Sequence, residues 1–432
     1  MPIQYATHRR TLALSLLLAC AANAQALETL KFAFGPGKAP AGTTQVGPNA
    51  VYDAARGYGF EPDALPDGVH PFYFSAAVPE GNYNVTVTFG DDKAASDTTV
   101  KSELRRLMLE DVKTAPGQAI TRTFTVNVRT PQIAPVANIA AGEVKLKAPR
   151  ETEVEAWAWD RRLTLEFNGV HPAVRTLEIA PANVPTLFLL GDSTVCDQPA
   201  EPYNSWGQML PRFFKPGIAV ANHGESGETY RDSIGRRRLD KILSVMKPGD
   251  MLVMQFGHND QKQIKAGKGG PFTTYKAEIK THVDAVRARG GLPVIVSPME
   301  RRGFDDKGKV IPSLIEYADA ARQAAQELDV PFIDLNTMSK AFYEALGPEG
   351  SKLAFAEPTP GHLDNTHHDS YGSYELAKMV VLGLRQAKLP AAGYIVDGFQ
   401  FDPAHPDPVA GFDVPPSPHR TQQRPLGDES HK

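Results

Sequence analysis

The sequence predicts a two-part chain: an all-β sandwich followed by an α/β domain with a doubly wound, five-stranded parallel sheet. Two observations carry that expectation. Residues 27–180 hold short strands of period two, separated by Gly, Pro and Asp turns. From about residue 183, apolar strands alternate with helical segments instead. The length of 432 residues exceeds one typical domain, and 41% hydrophobic with 22% charged residues is ordinary for a protein with a sizeable core. A formal net charge of −4 gives no electrostatic reason to expect nucleic acid or an anionic membrane as partner. Neutral or weakly acidic substrates stay open.

Taken in order, the amino terminus reads as a leader. Arg9 and Arg10 precede an apolar run, Leu12 to Ala22, and small residues Ala22-Asn23-Ala24 follow before Gln25. The run is too short to span a bilayer permanently. Residues 1–26 are therefore expected to be a signal peptide cut near Ala24 or Ala26, which implies a secreted or periplasmic protein. Leu17-Leu18-Ala19-Cys20 also resembles a bacterial lipoprotein box with a lipid anchor at Cys20, although Leu18 fits that pattern poorly. Cys196 is the other of two cysteines, so the mature chain is expected to have no internal disulfide, and Cys196 to be a packed thiol.

The expected sandwich covers residues 27–182. Tyr83, Val85, Val87 and Phe89 alternate with Asn84, Thr86 and Thr88, the pattern of a half-buried strand, and Phe124-Val126-Val128 and Leu163-Leu165-Phe167 repeat it. The stretch from Val78 to Val87 resembles galactose-binding-like jelly rolls. Trp157, Trp159, Tyr58 and Phe60 offer faces for a pyranose ring, but aromatics in a sandwich more often fill the core or an interface.

The expected α/β domain covers residues 183–394. Strands are predicted at Thr186–Leu190, Ile218–Ala221, Met251–Phe256, Pro293–Ser297 and Pro331–Leu335. Helical segments are predicted around Trp206–Phe214, Glu228–Met246, Thr274–Arg289 and Ser313–Leu328. In a last one, near Ser373–Lys388, Leu376, Val380 and Leu384 recur every fourth residue as an apolar stripe. Residues 395–432 are Pro-, Asp- and His-rich, and past about residue 405 the composition predicts disorder.

Four polar stretches lie where predicted strands end or before the last helix. They are Gly191-Asp192-Ser193, Asn222 to Gly227, Gly257-His258-Asn259-Asp260, and His362 to His368. In a doubly wound sheet the carboxyl ends of the strands share one edge, so these stretches are expected to meet there. The ordered set resembles the SGNH/GDSL hydrolases over roughly residues 185–390. Phe256 to Asp260, Trp206 and Asp364-x-x-His367 look most like the rhamnogalacturonan acetylesterases within them. The resemblance implies a flavodoxin-like sheet and a serine esterase.

Ser193 is then the nucleophile, His367 its base and Asp364 the carboxylate that orients the imidazole. The resemblance assigns the oxyanion hole to the backbone amides of Ser193 and Gly227 and the side-chain amide of Asn259. Asp192 and Asp260 are expected to shape turns, and His258 is given no catalytic role. His368 is the rival base. Reading His362, Asp364, His367, His368 and Asp369 as a metal cluster would leave Ser193 and Asn259 unexplained, so no metal ligand and no cofactor is assigned. The substrate implied is acetylated pectic polysaccharide, with acetylated xylan, other acyl esters and a non-catalytic carbohydrate-binding role as rivals.

Overall fold

The computed structural model describes residues 28–35, 37–262, 267 and 269–425. The expected leader, with Cys20, lies outside the described residues. No helix among them is long and apolar enough to cross a membrane.

Ten strands build the sandwich. One sheet orders Thr44–Val46, Leu30–Phe34, Val174–Pro181, Gly81–Phe89 and Ile120–Val128; the other orders Tyr58–Phe60, Phe72–Ala77, Arg162–Val170, Ser96–Ser102 and Arg106–Thr114. Pairing is antiparallel except between Leu30–Phe34 and Thr44–Val46. The alternation read from the sequence sets which faces meet. Val85, Val87, Phe89, Phe124, Val126, Leu163, Leu165 and Phe167 all enter one core between the sheets. Phe60 joins that core and Tyr58 packs on it, while Trp159 lies under the Arg129 guanidinium and Trp157 against Tyr73. All four aromatic rings considered for sugar stacking are thus packed against protein.

Beyond the sandwich come five parallel strands: β1 (Thr186–Gly191), β2 (Ala219–Asn222), β3 (Met251–Gln255), β4 (Leu292–Val296) and β5 (Phe332–Ile333). Their order is β2-β1-β3-β4-β5, the flavodoxin-like arrangement whose switch point lies between β1 and β3. Helices α1 (Tyr230–Gly235), α2 (Arg238–Val245), α3 (Lys276–Ala288) and α4 (Ile315–Leu328) cover one face. Helices α5 (Leu335–Gly350) and α6 (Ser370–Gln386), with the single turn Trp206–Met209, cover the other. Leu187 and Leu189 point to the second face, Phe188 and Leu190 to the first, so β1 is buried on both sides. Each such side chain contributes roughly 1.5–3 kcal/mol on leaving water.

Three expectations are corrected. The single helix expected over 228–246 is two, because Arg237 adopts φ +63° between them. Helix α5 was not predicted. The tail expected to be disordered is instead packed over its described residues, which end at 425: Phe399, Phe401, Val409 and Phe412 lie on the apolar cluster that holds α6, and Val414 is buried. A few aromatic anchors and paired backbone groups hold a segment whose average composition is polar.

Candidate active site

Strand β1 ends at Gly191, where a Cβ would come within 2.4 Å of Val195 Cγ2 and 2.5 Å of the Gln255 carbonyl oxygen. Only glycine lets the chain turn this closely against β3. Asp192 closes the turn that follows. Its carboxylate accepts from the Thr194 amide at 3.0 Å and hydroxyl at 2.7 Å, and its carbonyl accepts from the Val195 and Cys196 amides. Ser193 is thereby presented at the switch point, and Gln198 Nε2 donates to its carbonyl at 2.7 Å.

The loop before α6 brings the imidazole. Ser193 Oγ lies 2.8 Å from His367 Nε2, and His367 Nδ1 lies 2.9 Å from Asp364 Oδ2. With its proton on Nδ1, given to Asp364, the ring leaves Nε2 free to accept from the hydroxyl. Asp364 Oδ1 accepts from the Thr366 and His367 amides at 2.8 and 3.0 Å. Burial pushes the Asp364 carboxyl up, but His367, through its ring and its amide, and Arg424 outweigh it and hold it well below the usual range. It is a carboxylate throughout the neutral range. Asp369 caps α6 by accepting from the Gly372 amide at 2.8 Å, which fixes where the loop ends.

His368 faces away. Its Nε2 lies 2.8 Å from Tyr343 Oη, its ring packs 4.2 Å from that of Phe355, and burial pushes its pKa down to about 3. Of the five residues weighed as a metal cluster, Asp364 and His367 pair with each other while His362 is exposed and His368 faces Tyr343, and none of the five belongs to a metal-sized group of three or more His, Cys, Asp and Glu side chains among the described residues.

Ser193, Gly227 and Asn259 stand on the loops after β1, β2 and β3, three neighbouring strands. Gly227 has φ +79°, a conformation that favours glycine. Asn259 Nδ2 donates one proton to the Glu228 carbonyl at 3.2 Å, tying its loop to that of Gly227 and leaving its second amide proton for a ligand. His258 Nδ1 lies 3.5 Å from Asp192 Oδ2, and Asp260 Oδ1 accepts from the Tyr230 amide at 3.4 Å. Asp192 shapes its own turn as expected, whereas Asp260 bonds across to the backbone at the start of α1, and His258 sits beside Asp192.

Sequence reasoning missed what holds these loops. Arg105 Nη1 donates to the carbonyls of Gln198 and Tyr203 at 3.0 and 2.9 Å, and Arg106 Nε to Asp197 Oδ2 at 2.8 Å. Arg150 reaches Glu225 at 3.1 Å and Ser226 Oγ at 2.9 Å. Cations from the amino-terminal part thus grip the loops of Ser193 and Gly227. Tyr203, whose ring stands edge-on to His367 at 5.9 Å, was also missed. Cys196 is a buried, packed thiol as expected.

An imidazole between a hydroxyl and a carboxylate, at the carboxyl edge of such a sheet, is the arrangement of a serine hydrolase. Residues 189–365 match the profile of the GDSL-like lipase/acylhydrolase family. The chain is 39% identical over 220 residues to the rhamnogalacturonan acetylesterase RhgT of Bacillus subtilis (strain 168), covering 49% of this chain and 94% of that protein. It is 26% identical over 384 residues to the uncharacterized esterase YxiM of the same organism, covering 82% and 90%. A crystal structure of YxiM aligns with a TM-score of 0.47 at 24% identity, covering 84% of this chain and 100% of that one. The chain belongs to the GDSL-like lipase/acylhydrolase family and is a carboxylic ester hydrolase.

Proposed function

We propose that this esterase removes acetyl groups from pectic polysaccharide, with rhamnogalacturonan as substrate, and that it acts outside the cytoplasm after loss of the leader at residues 1–26. The observation that carries the chemistry is the unbroken contact from Ser193 Oγ through His367 to Asp364. The substrate reading is supported by the name of the relative RhgT.

In the first step Ser193 Oγ attacks the acetyl carbonyl carbon while His367 Nε2 takes its proton. The oxyanion is met by the amides of Ser193 and Gly227 and the free Asn259 amide proton. The bond from carbon to the sugar oxygen breaks, and His367 returns its proton to that oxygen. Water then attacks the acetyl-enzyme, giving a proton to His367, and acetate leaves as Ser193 recovers its hydrogen. Asp364 stays ionised and stabilises each imidazolium.

The test is acetate release across acetylated rhamnogalacturonan, homogalacturonan and xylan, with Ser193→Ala beside the wild type. Release fastest from rhamnogalacturonan and absent in the variant is the expected result. Fastest release from xylan would overturn the pectic reading, and release by the variant would overturn the role of Ser193.

A further inference from the structure

The tail does more than pack. After Phe412 it runs along the amino-terminal sandwich, where Lys101 Nζ donates to the Pro415 carbonyl at 2.7 Å and to Ser417 Oγ at 2.8 Å. Asn168 Nδ2 donates to the Pro416 carbonyl at 3.0 Å, and Ser417 Oγ donates to Glu166 at 2.8 Å. Glu201, on the loop after Ser193, donates its amide to the His419 carbonyl at 2.8 Å and accepts from the Thr421 amide at 2.7 Å. Both halves of the molecule therefore fix the strap to within three residues of Arg424. Arg424 then reaches Asp364 with a fork: Nη2 lies 3.0 Å from Oδ1 and Nε 2.7 Å from Oδ2.

We propose that Arg424 is a positioning residue for the Asp364–His367 pair, delivered by the carboxyl-terminal strap. The proposal rests on the roles given above to those two residues. A planar guanidinium on both oxygens fixes the rotation of a carboxylate in a way a point charge cannot. Rotation decides whether Oδ2 stays on His367 Nδ1, and so whether Nε2 faces Ser193. The cation also acts through its charge. His367 is faced by the Asp364 carboxylate, the Ser193 hydroxyl, the Tyr203 ring, neutral His368, and Arg424 beyond the carboxylate. His258 stands on the neighbouring loop with Arg301 on its carbonyl. A cation behind Asp364 offsets part of the negative field at the imidazole, so an uncharged residue at 424 would favour the imidazolium more than arginine does.

Arg424 is partly exposed, so its replacement leaves the core intact. The experiment measures kcat and KM against pH for the full chain on a small chromogenic acetate ester, with Arg424→Gln, Arg424→Lys and Ser193→Ala, and records each melting temperature. For Arg424→Gln the acid limb is expected to move up by about 0.5–1 pH unit. Its plateau kcat should fall about 10- to 100-fold with KM nearly unchanged. Arg424→Lys should return the limb while recovering only part of kcat. A profile for Arg424→Gln that superimposes on the wild type would overturn the proposal, as would an equal loss at every pH that follows a lowered melting temperature. Turnover by Ser193→Ala would overturn the underlying reading of the site instead.

Discussion

His367 and His368 are neighbours in the chain with opposite surroundings. One ring lies between a hydroxyl and a carboxylate; the other is sealed against Phe355 with its Nε2 on Tyr343. Spacing alone favoured His367, because Asp364 lies three residues before it. Asn259 is the residue whose contribution is most open to measurement, since it holds its loop with one amide proton and offers the other. Asn259→Ala should lower kcat by about 10²–10³ with KM little changed, and loss of its bond to the Glu228 carbonyl should cost about 0.5–1.5 kcal/mol of stability. A rise in KM alone would show that it binds substrate rather than the oxyanion. The placement of Ser193, Gly227, Asn259, Asp364 and His367 at one sheet edge was legible because each stands in a short pattern at a strand end or helix start. Arg424 and Tyr203 have no local pattern, and only the fold brings them near.

At the scale of elements, the hairpin tip at residues 103–106 links the sandwich to the nucleophile loop. Glu103 and Arg105 take positive φ there, which turns Arg105 and Arg106 toward the carbonyls and carboxylate after Ser193. Glu103 itself is buried, accepts from the Thr164 amide at 3.1 Å, and is pushed up to about 8, chiefly by burial against the pull of Arg106. Because its folded pKa lies above the unfolded value, its contribution to stability is full below about pH 4 and lost as pH rises to about 8. Gln keeps the acceptor without the charge. Glu103→Gln should thus match the wild type near pH 4 and exceed it by about 1–3 kcal/mol at pH 9, read from denaturant unfolding. A variant less stable at pH 9 would contradict this. Strands β1 to β4 were legible within a residue or two as buried apolar runs. Helix α5 was not, because Gly347 and Pro348 interrupt its end and no clear apolar stripe announced it.

Across the whole molecule, the sandwich and the strap are parts of the site's scaffold. Arg106 and Asp197 are both buried, and removing one partner of such a pair typically costs about 3–5 kcal/mol because the other charge is left stranded. The long-range pairing explains why composition misread the tail. Its polar residues meet Lys101, Glu166 and Glu201, and average composition carries no record of such partners. The central claim is that one hydroxyl at the β1 edge becomes acylated. Treatment with a serine-directed phosphonate, followed by mass analysis of the intact chain and its peptides, tests it directly. One adduct per chain, on the peptide carrying Ser193, with loss of acetate-ester hydrolysis in proportion, is the predicted result. Full inactivation with the label on another residue, or full labelling at Ser193 with activity retained, would contradict the account.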